Sequence, residues 1–338
     1  MKEFEHLRQA AINMLNVNLG AREGERVAFV TDVPTPGDWE TLPGEVLEDM
    51  LNRARMTRAI YQMMCEAFPT LALDLICFEQ TGQSGREPDE ATARRFLNHD
   101  VLVLMTTHSL SHTRARENAC QRGARVASMP GVDAAMFAPD GPMATDYLQV
   151  QRESLALAEI LTRGHTVRIT TPYGTDLSFS IEGRKGKGDT GLLLEPGAFG
   201  NLPGGEAYIA PVEGTAEGLL VVPAGWYPGL KENMRLTFHA GHVISVEGGG
   251  EVGEYFRELF DFSNADRSHR RNCAELGIGT NPNAKRPDNV LEAEKIKGTV
   301  HIAVGDNSHM GGVVESDLHE DFVLPQPTLW IDGERVLG

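Results

Sequence analysis

The sequence predicts two domains. Residues 1–164 form an α/β N-terminal domain with a mostly parallel sheet, and residues 165–338 a mostly antiparallel, β-rich C-terminal domain. Three observations predict this. The first half alternates short apolar runs with amphipathic stretches of roughly ten residues or more, the pattern of parallel strands joined by crossover helices. After Gly164 glycine becomes frequent, and strand-like runs recur between turn residues. The 338 residues suffice for two hydrophobic cores.

In chain order, residues 5–18 have helical periodicity and 26–32 (RVAFVTD) is a short apolar strand. Residues 44–68 form a long amphipathic helix and 70–79 a strand; 89–99 is a helix and 100–107 (DVLVLMTT) a fully apolar, buried strand. Residues 111–123 make a helix closed by Gly123 at C′. A strand at 125–130 and a helix at 146–164 complete this half. Beyond it, HTVRITTPYGTDLSFSIEG reads as two strands around a Tyr-Gly-Thr-Asp turn. Further strand-like runs are EAYIAPVEG, EGLLVVPAG, RLTFHAGHVISVEG, GTVHIAVG and PTLWIDGERVL, with one helix near 251–261. There is no internal repeat and no low-complexity segment.

With 41% hydrophobic and 23% charged residues, the composition is that of an ordinary globular protein. No apolar run approaches the roughly 20 residues of a membrane span. The opening segment is amphipathic and carries acids, so neither a signal nor a transit peptide is expected. Cys65, Cys77, Cys120 and Cys273 show no C-x-x-C spacing, which argues against a disulfide framework or thiolate zinc site and for a cytoplasmic setting. A formal net charge of -17 argues against nucleic acid and anionic membrane as partners, leaving a small peptide or another small molecule.

Six of the eleven histidines lie between His239 and His319, so the chemistry is sought in the β-rich half. Glu206 follows Leu-Pro-Gly-Gly at the start of a strand; it is either an exposed edge acid or a rigidly held ligand. Glu275 sits in an apolar segment where an unpaired carboxylate is costly, so a cation or donor should face it, with Arg270 and Arg271 nearby. His301 interrupts an apolar strand, either as a satisfied core residue or as a ligand. His319 and Asp321 are two apart, and in a strand they share a face. Two glutamates, an aspartate and two histidines make a hard N/O set suited to Zn²⁺, Mn²⁺, Co²⁺ or Fe²⁺. Three carboxylates suit two ions with one carboxylate bridging.

The order G-x-L-P-x-G-E, A-E-L-G-I-G-T-N, G-T-x-H-I-A-x-G and H-x-D, from about residue 195 onward, resembles the M29 metallopeptidases, the thermophilic aminopeptidase T group. The resemblance implies two metal ions held by Glu206, Glu275, His301, His319 and Asp321, and a homodimer. The peptidases carry a tyrosine shortly after the strand histidine; here Ser308 and then His309 stand there, and the interval from His301 to His319 is shorter. A related branch, the 2,5-dihydroxypyridine 5,6-dioxygenases, holds one Fe²⁺, keeps the H-x-D pair and has a loop similar to GDNSHMGG. Its third ligand is a histidine where this chain has Glu275, and it lacks the counterparts of Glu206 and His301.

The reading expected from this is an aminopeptidase-like hydrolase with two Zn, Co or Mn ions. A metal-activated water attacks a peptide or small amide carbonyl, Glu275 bridges the ions, and His309 donates to the oxyanion. The α/β half is expected to supply a wall of the cleft. The alternative is a mononuclear Fe(II) ring-cleaving dioxygenase using His319, Asp321 and either His301 or His309. A non-enzymatic metal-binding protein is the third reading.

Overall fold

The computed structural model describes residues 2–338, which divide into two compact units. One comprises the chain up to Tyr147 together with Gly191–Gly204. The other comprises Leu148–Thr190 and Gly205–Gly338.

The first unit is built on a five-stranded, all-parallel sheet. Its order is Ala72–Glu79, Arg26–Val33, Val101–Leu104, Arg125–Ser128 and Phe199–Asn201. The middle strand, Val101–Leu104, is apolar and buried throughout, as strands of parallel sheets covered on both faces are. The long helix Gly44–Ala67 starts after Pro43 and buries Met50, Arg53, Thr57, Ile60 and Met64, a stripe at steps of three and four. Asp89 caps the helix Glu90–Phe96 by accepting from the amides of Ala91 and Thr92, and Thr113 caps Arg114–Gln121. Gly123 takes φ +94° just past that helix.

The sequence placed 165 as the boundary and the helix before it in the first domain. From Leu148 onward that helix, Tyr147–Arg163, falls within the second unit, where its Ala158 and Leu161 join the apolar core. The close approach of Gly186 accounts for this: a Cβ there would lie 2.3 Å from the Ala158 carbonyl oxygen. Amphipathic periodicity shows that a stripe is buried but not which core receives it. The fifth parallel strand, Phe199–Asn201, lies in a Gly-rich stretch with no apolar run to announce it.

The second unit contains two mainly antiparallel sheets of seven and five strands that share one apolar core. The five-stranded sheet runs His319–Leu324, Val300–Gly305, Cys273–Gly279, Glu206–Ile209, Lys187–Asp189. Its alternate residues Ile209, Leu276, Ile278, Ile302, Phe322 and Leu324 enter the core. The residues between them point to the opposite face, because the side-chain period of a strand is two. That second face is polar and is also buried. Among the described residues no helix is long and apolar enough to cross a membrane.

Candidate metal centre

Strand register assembles the polar face. Glu275 pairs with Ala303, and Ala303 with Asp321, so the two carboxylates flank a small residue on one row. On the next row Gly277 pairs with His301 on one side and Tyr208 on the other. Glu206 faces Gly279 and Asp189, and His319 faces Gly305. Residues directly opposite one another share a face, so five residues far apart in sequence converge.

A glycine makes room for the converging side chains. A Cβ at Gly277 would lie 2.0 Å from the His301 ring, so the imidazole lies over the neighbouring strand only because position 277 has no side chain. His301 is fully buried, with Nε2 3.3 Å from Glu206 and 3.5 Å from Glu275. His319 Nε2 is 3.2 Å from Glu275 and 3.8 Å from Asp321. The tautomer of His319 is fixed from behind: its Nδ1–H donates to the Asp306 main-chain carbonyl at 2.8 Å, which turns Nε2 toward the carboxylates. The carboxylate of the same Asp306 accepts from His309 Nδ1 at 2.9 Å. His309 is half-exposed beside the centre, its ring 5.7 Å from that of His319.

Burial and mutual charge set the protonation states. Burial raises Glu206 to about 8 against the opposing pull of Lys295, and raises Asp321 to about 7 against His319. Burial would raise Glu275 too, but the donors His301 and His319 outweigh it and hold this carboxyl well below its ordinary range. For the imidazoles burial works the other way and is again overcome. Glu275 and Glu206 lift His301 to about 9, and Asp321 and Glu275 lift His319 to about 10. Burial and the adjacent Glu206 push the Tyr208 phenol far above its usual value.

These residues fit a divalent cation. Glu206 Oε2, both ring nitrogens of His301 and Asp321 Oδ1 are buried without a hydrogen bond. Leaving such groups unsatisfied costs roughly 1–3 kcal/mol each, more when charged. Ligand atoms of Glu275, His301 and Asp321 lie within 4.8 Å of one another, as do those of Glu206, Glu294 and His301. The donors are imidazole and carboxylate, the set that suits divalent iron, manganese, cobalt and zinc.

All five ligands expected from the sequence meet here, with His309 alongside. Arg270 and Arg271 do not serve Glu275: Arg270 pairs with Asp317, and Arg271 stacks over Phe262. Sequence reading missed Lys295, whose Nζ lies 2.6 Å from Glu206, 2.9 Å from Glu294 and 3.2 Å from Asp189. It also missed Asp306 and Gly277. The run LEAEKIKG resembles a solvated charged turn, and nothing in its pattern marks Lys295 as buried.

The family model for NicX, 2,5-dihydroxypyridine 5,6-dioxygenase, matches residues 54–338. The 2,5-dihydroxypyridine 5,6-dioxygenase of Pseudomonas putida is 24% identical over 262 residues, covering 72% of this chain and 71% of that protein. The solved structure of the Pseudomonas putida KT2440 dioxygenase superposes with a TM-score of 0.72 at 19% identity, covering 98% of this chain and 95% of that one. AmpT from Thermus thermophilus superposes with a TM-score of 0.64 at 16% identity over 98% and 97%, which relates the fold to M29. These matches correct the expected aminopeptidase-like hydrolase, and with it the hydrolase and metallopeptidase assignment: the matching family is one of dioxygenases. The physical reason is that ligand order along the chain reports a shared sheet, and the same carboxylates and imidazoles serve hydrolytic and oxidative metals alike. A dioxygenase relative implies a metal cofactor, and the groups described above are of the kind that hold one. The chain belongs to the 2,5-dihydroxypyridine 5,6-dioxygenase family.

Proposed function

We propose that this enzyme is a mononuclear Fe(II) dioxygenase that opens the ring of a hydroxylated pyridine or a closely similar nitrogen heteroaromatic. The observation that carries the reading is the family match over residues 54–338, set beside two imidazoles and two carboxylates converging on one buried face. Two histidines and a carboxylate with open positions are the usual ligands of non-haem iron oxygenases. In this reading His301, His319 and Asp321 hold the ion and Glu275 lies against it. When bound, Fe(II) supplies a redox-active centre at which O₂ and the ring meet.

The remaining steps belong to the chain's own residues. Asp306 holds the proton of His309 on Nδ1, which leaves Nε2 as the basic nitrogen at the rim. His309 accepts the proton of a ring hydroxyl as substrate docks, and returns it after the ring opens. A cavity of about 500 Å³ adjoins this loop, lined by Arg184, Lys185, Lys187, Val212, Met310 and Gly311 among others. Lys187 Nζ donates to the His309 carbonyl at 2.9 Å, and Arg184 donates to the Gly311 carbonyl and pairs with Glu213. The lining carries Arg184, Lys185 and Lys187 against Glu182, with Arg184 paired to Glu213, and the remaining positive charge favours a ring whose hydroxyl is deprotonated. The buried sheet face keeps bulk water from the centre.

The test is anaerobic loading with Fe(II), then addition of O₂ and 2,5-dihydroxypyridine. Loss of the ring's ultraviolet absorbance with one O₂ consumed per ring is expected. His309→Ala should keep its iron and lose turnover by about 10²–10⁴-fold, the range for a general acid–base. An iron-loaded enzyme that consumes no O₂ with any hydroxylated pyridine overturns the reading.

A further inference from the structure

The polar face holds a permanent cation of its own. Lys295 is 1% exposed, and its ammonium donates to Glu206 at 2.6 Å and pairs with Glu294 at 2.9 Å and Asp189 at 3.2 Å. Its main chain is pinned on both sides, the amide donating to Glu292 and the carbonyl accepting from Asn281. Buried lysines are rare, and paired carboxylates are the condition under which one is tolerated.

The position of this ammonium matters. Glu206 and Glu294, together with His301, form one of the two groups on this face whose ligand atoms are close enough to share an ion. The other group is Glu275, His301 and Asp321. Lys295 is ion-paired with both carboxylates of the first group, Glu206 and Glu294, and its ion pairs among the described residues include neither carboxylate of the second. A dication on Glu206 and Glu294 would be pressed against an ammonium that has no exposed route of withdrawal. His301 can serve only one of the two positions at a time.

We propose that Lys295 is a built-in occupant of the second cation position, and that it restricts this centre to a single divalent ion on the Glu275, His301, His319 and Asp321 side. The inference rests on the metal-dependent reading above and deepens it. Lys295 acts through the carboxylates it holds, so it is a positioning residue.

The experiment is metal stoichiometry. Chelator-stripped protein is titrated anaerobically with Fe(II), and in parallel with Mn(II), desalted and subjected to elemental analysis. Wild type is expected to retain one ion per chain and Lys295→Ala two. Glu206→Gln is expected to keep its one ion, because Glu206 serves the lysine; this variant decides the matter if Lys295→Ala does not fold by circular dichroism. Two ions on wild type, one on folded Lys295→Ala, or loss of the ion from Glu206→Gln each overturns the proposal. These readouts need no turnover. Two bound ions with ring cleavage intact would sink this inference alone, and one bound ion without O₂ uptake would sink the functional reading alone.

Discussion

At the scale of single residues, the centre depends as much on what is missing as on what is present. Gly277 is the clearest case, since its absent Cβ leaves the space that the His301 imidazole fills. Gly277→Ala should turn that ring out of the centre. We expect about 1–3 kcal/mol of destabilisation, the usual cost of overpacking, and a large fall in metal affinity, read by chemical denaturation and by competition against a metal-binding dye. Unchanged affinity would mean that His301 is not a ligand. Asp306 shows a different economy, orienting two imidazoles at once, His319 through its carbonyl and His309 through its carboxylate. The five residues that converge here, Glu206, Glu275, His301, His319 and Asp321, were legible because their residue types are rare inside apolar strands. Lys295 and Asp306 were not, because a lysine in a charged run and an aspartate in a polar loop look solvated until the chain is folded.

At the scale of elements, the strand His319–Leu324 shows how one segment serves two purposes. His319 and Asp321 face the centre, while Phe322 and Leu324 face the core. Phe322 is fully buried, with its ring 5.0 Å from Phe256 and 5.9 Å from Tyr227. Phe322→Ala should destabilise the unit by about 3–5 kcal/mol, as buried phenylalanine truncations do, measured by urea denaturation with the metal site saturated. A loss below 1 kcal/mol, the scale expected of surface changes, would mean that the strand is not anchored by its apolar side. That His319 and Asp321 would share a face in a strand was readable from H-x-D; that Phe322 and Leu324 anchor the strand in the core was not. The helix Tyr147–Arg163 carried an equally clear amphipathic pattern, yet the pattern did not name the core its stripe joins.

At the scale of the molecule, the second unit gathers five buried or half-buried carboxylates, Asp189, Glu206, Glu275, Glu294 and Asp321, on one face around the ammonium of Lys295. A divalent ion that binds this face only in the folded state stabilises it by mass action, roughly 2.7 kcal/mol at a hundredfold excess over Kd. Stripping the metal should therefore lower the unfolding temperature of the second unit, and Fe(II) or Mn(II) should restore it. Thermal unfolding that is indifferent to metal would count against an ion at this face. The sequence by itself determined the fold class, most of the strands and helices, and the five residues that meet, because periodicity and residue type are local properties. Its ligand set pointed to the hydrolase first, with the dioxygenase as the alternative, and the family match overturned that order. Only the tertiary structure brought Lys295 against Glu206 and Glu294, opened space for His301 over Gly277 and set Asp306 behind two imidazoles. Those contacts join residues separated by up to 89 positions, and strand pairing, which no local pattern encodes, is what brings them within reach.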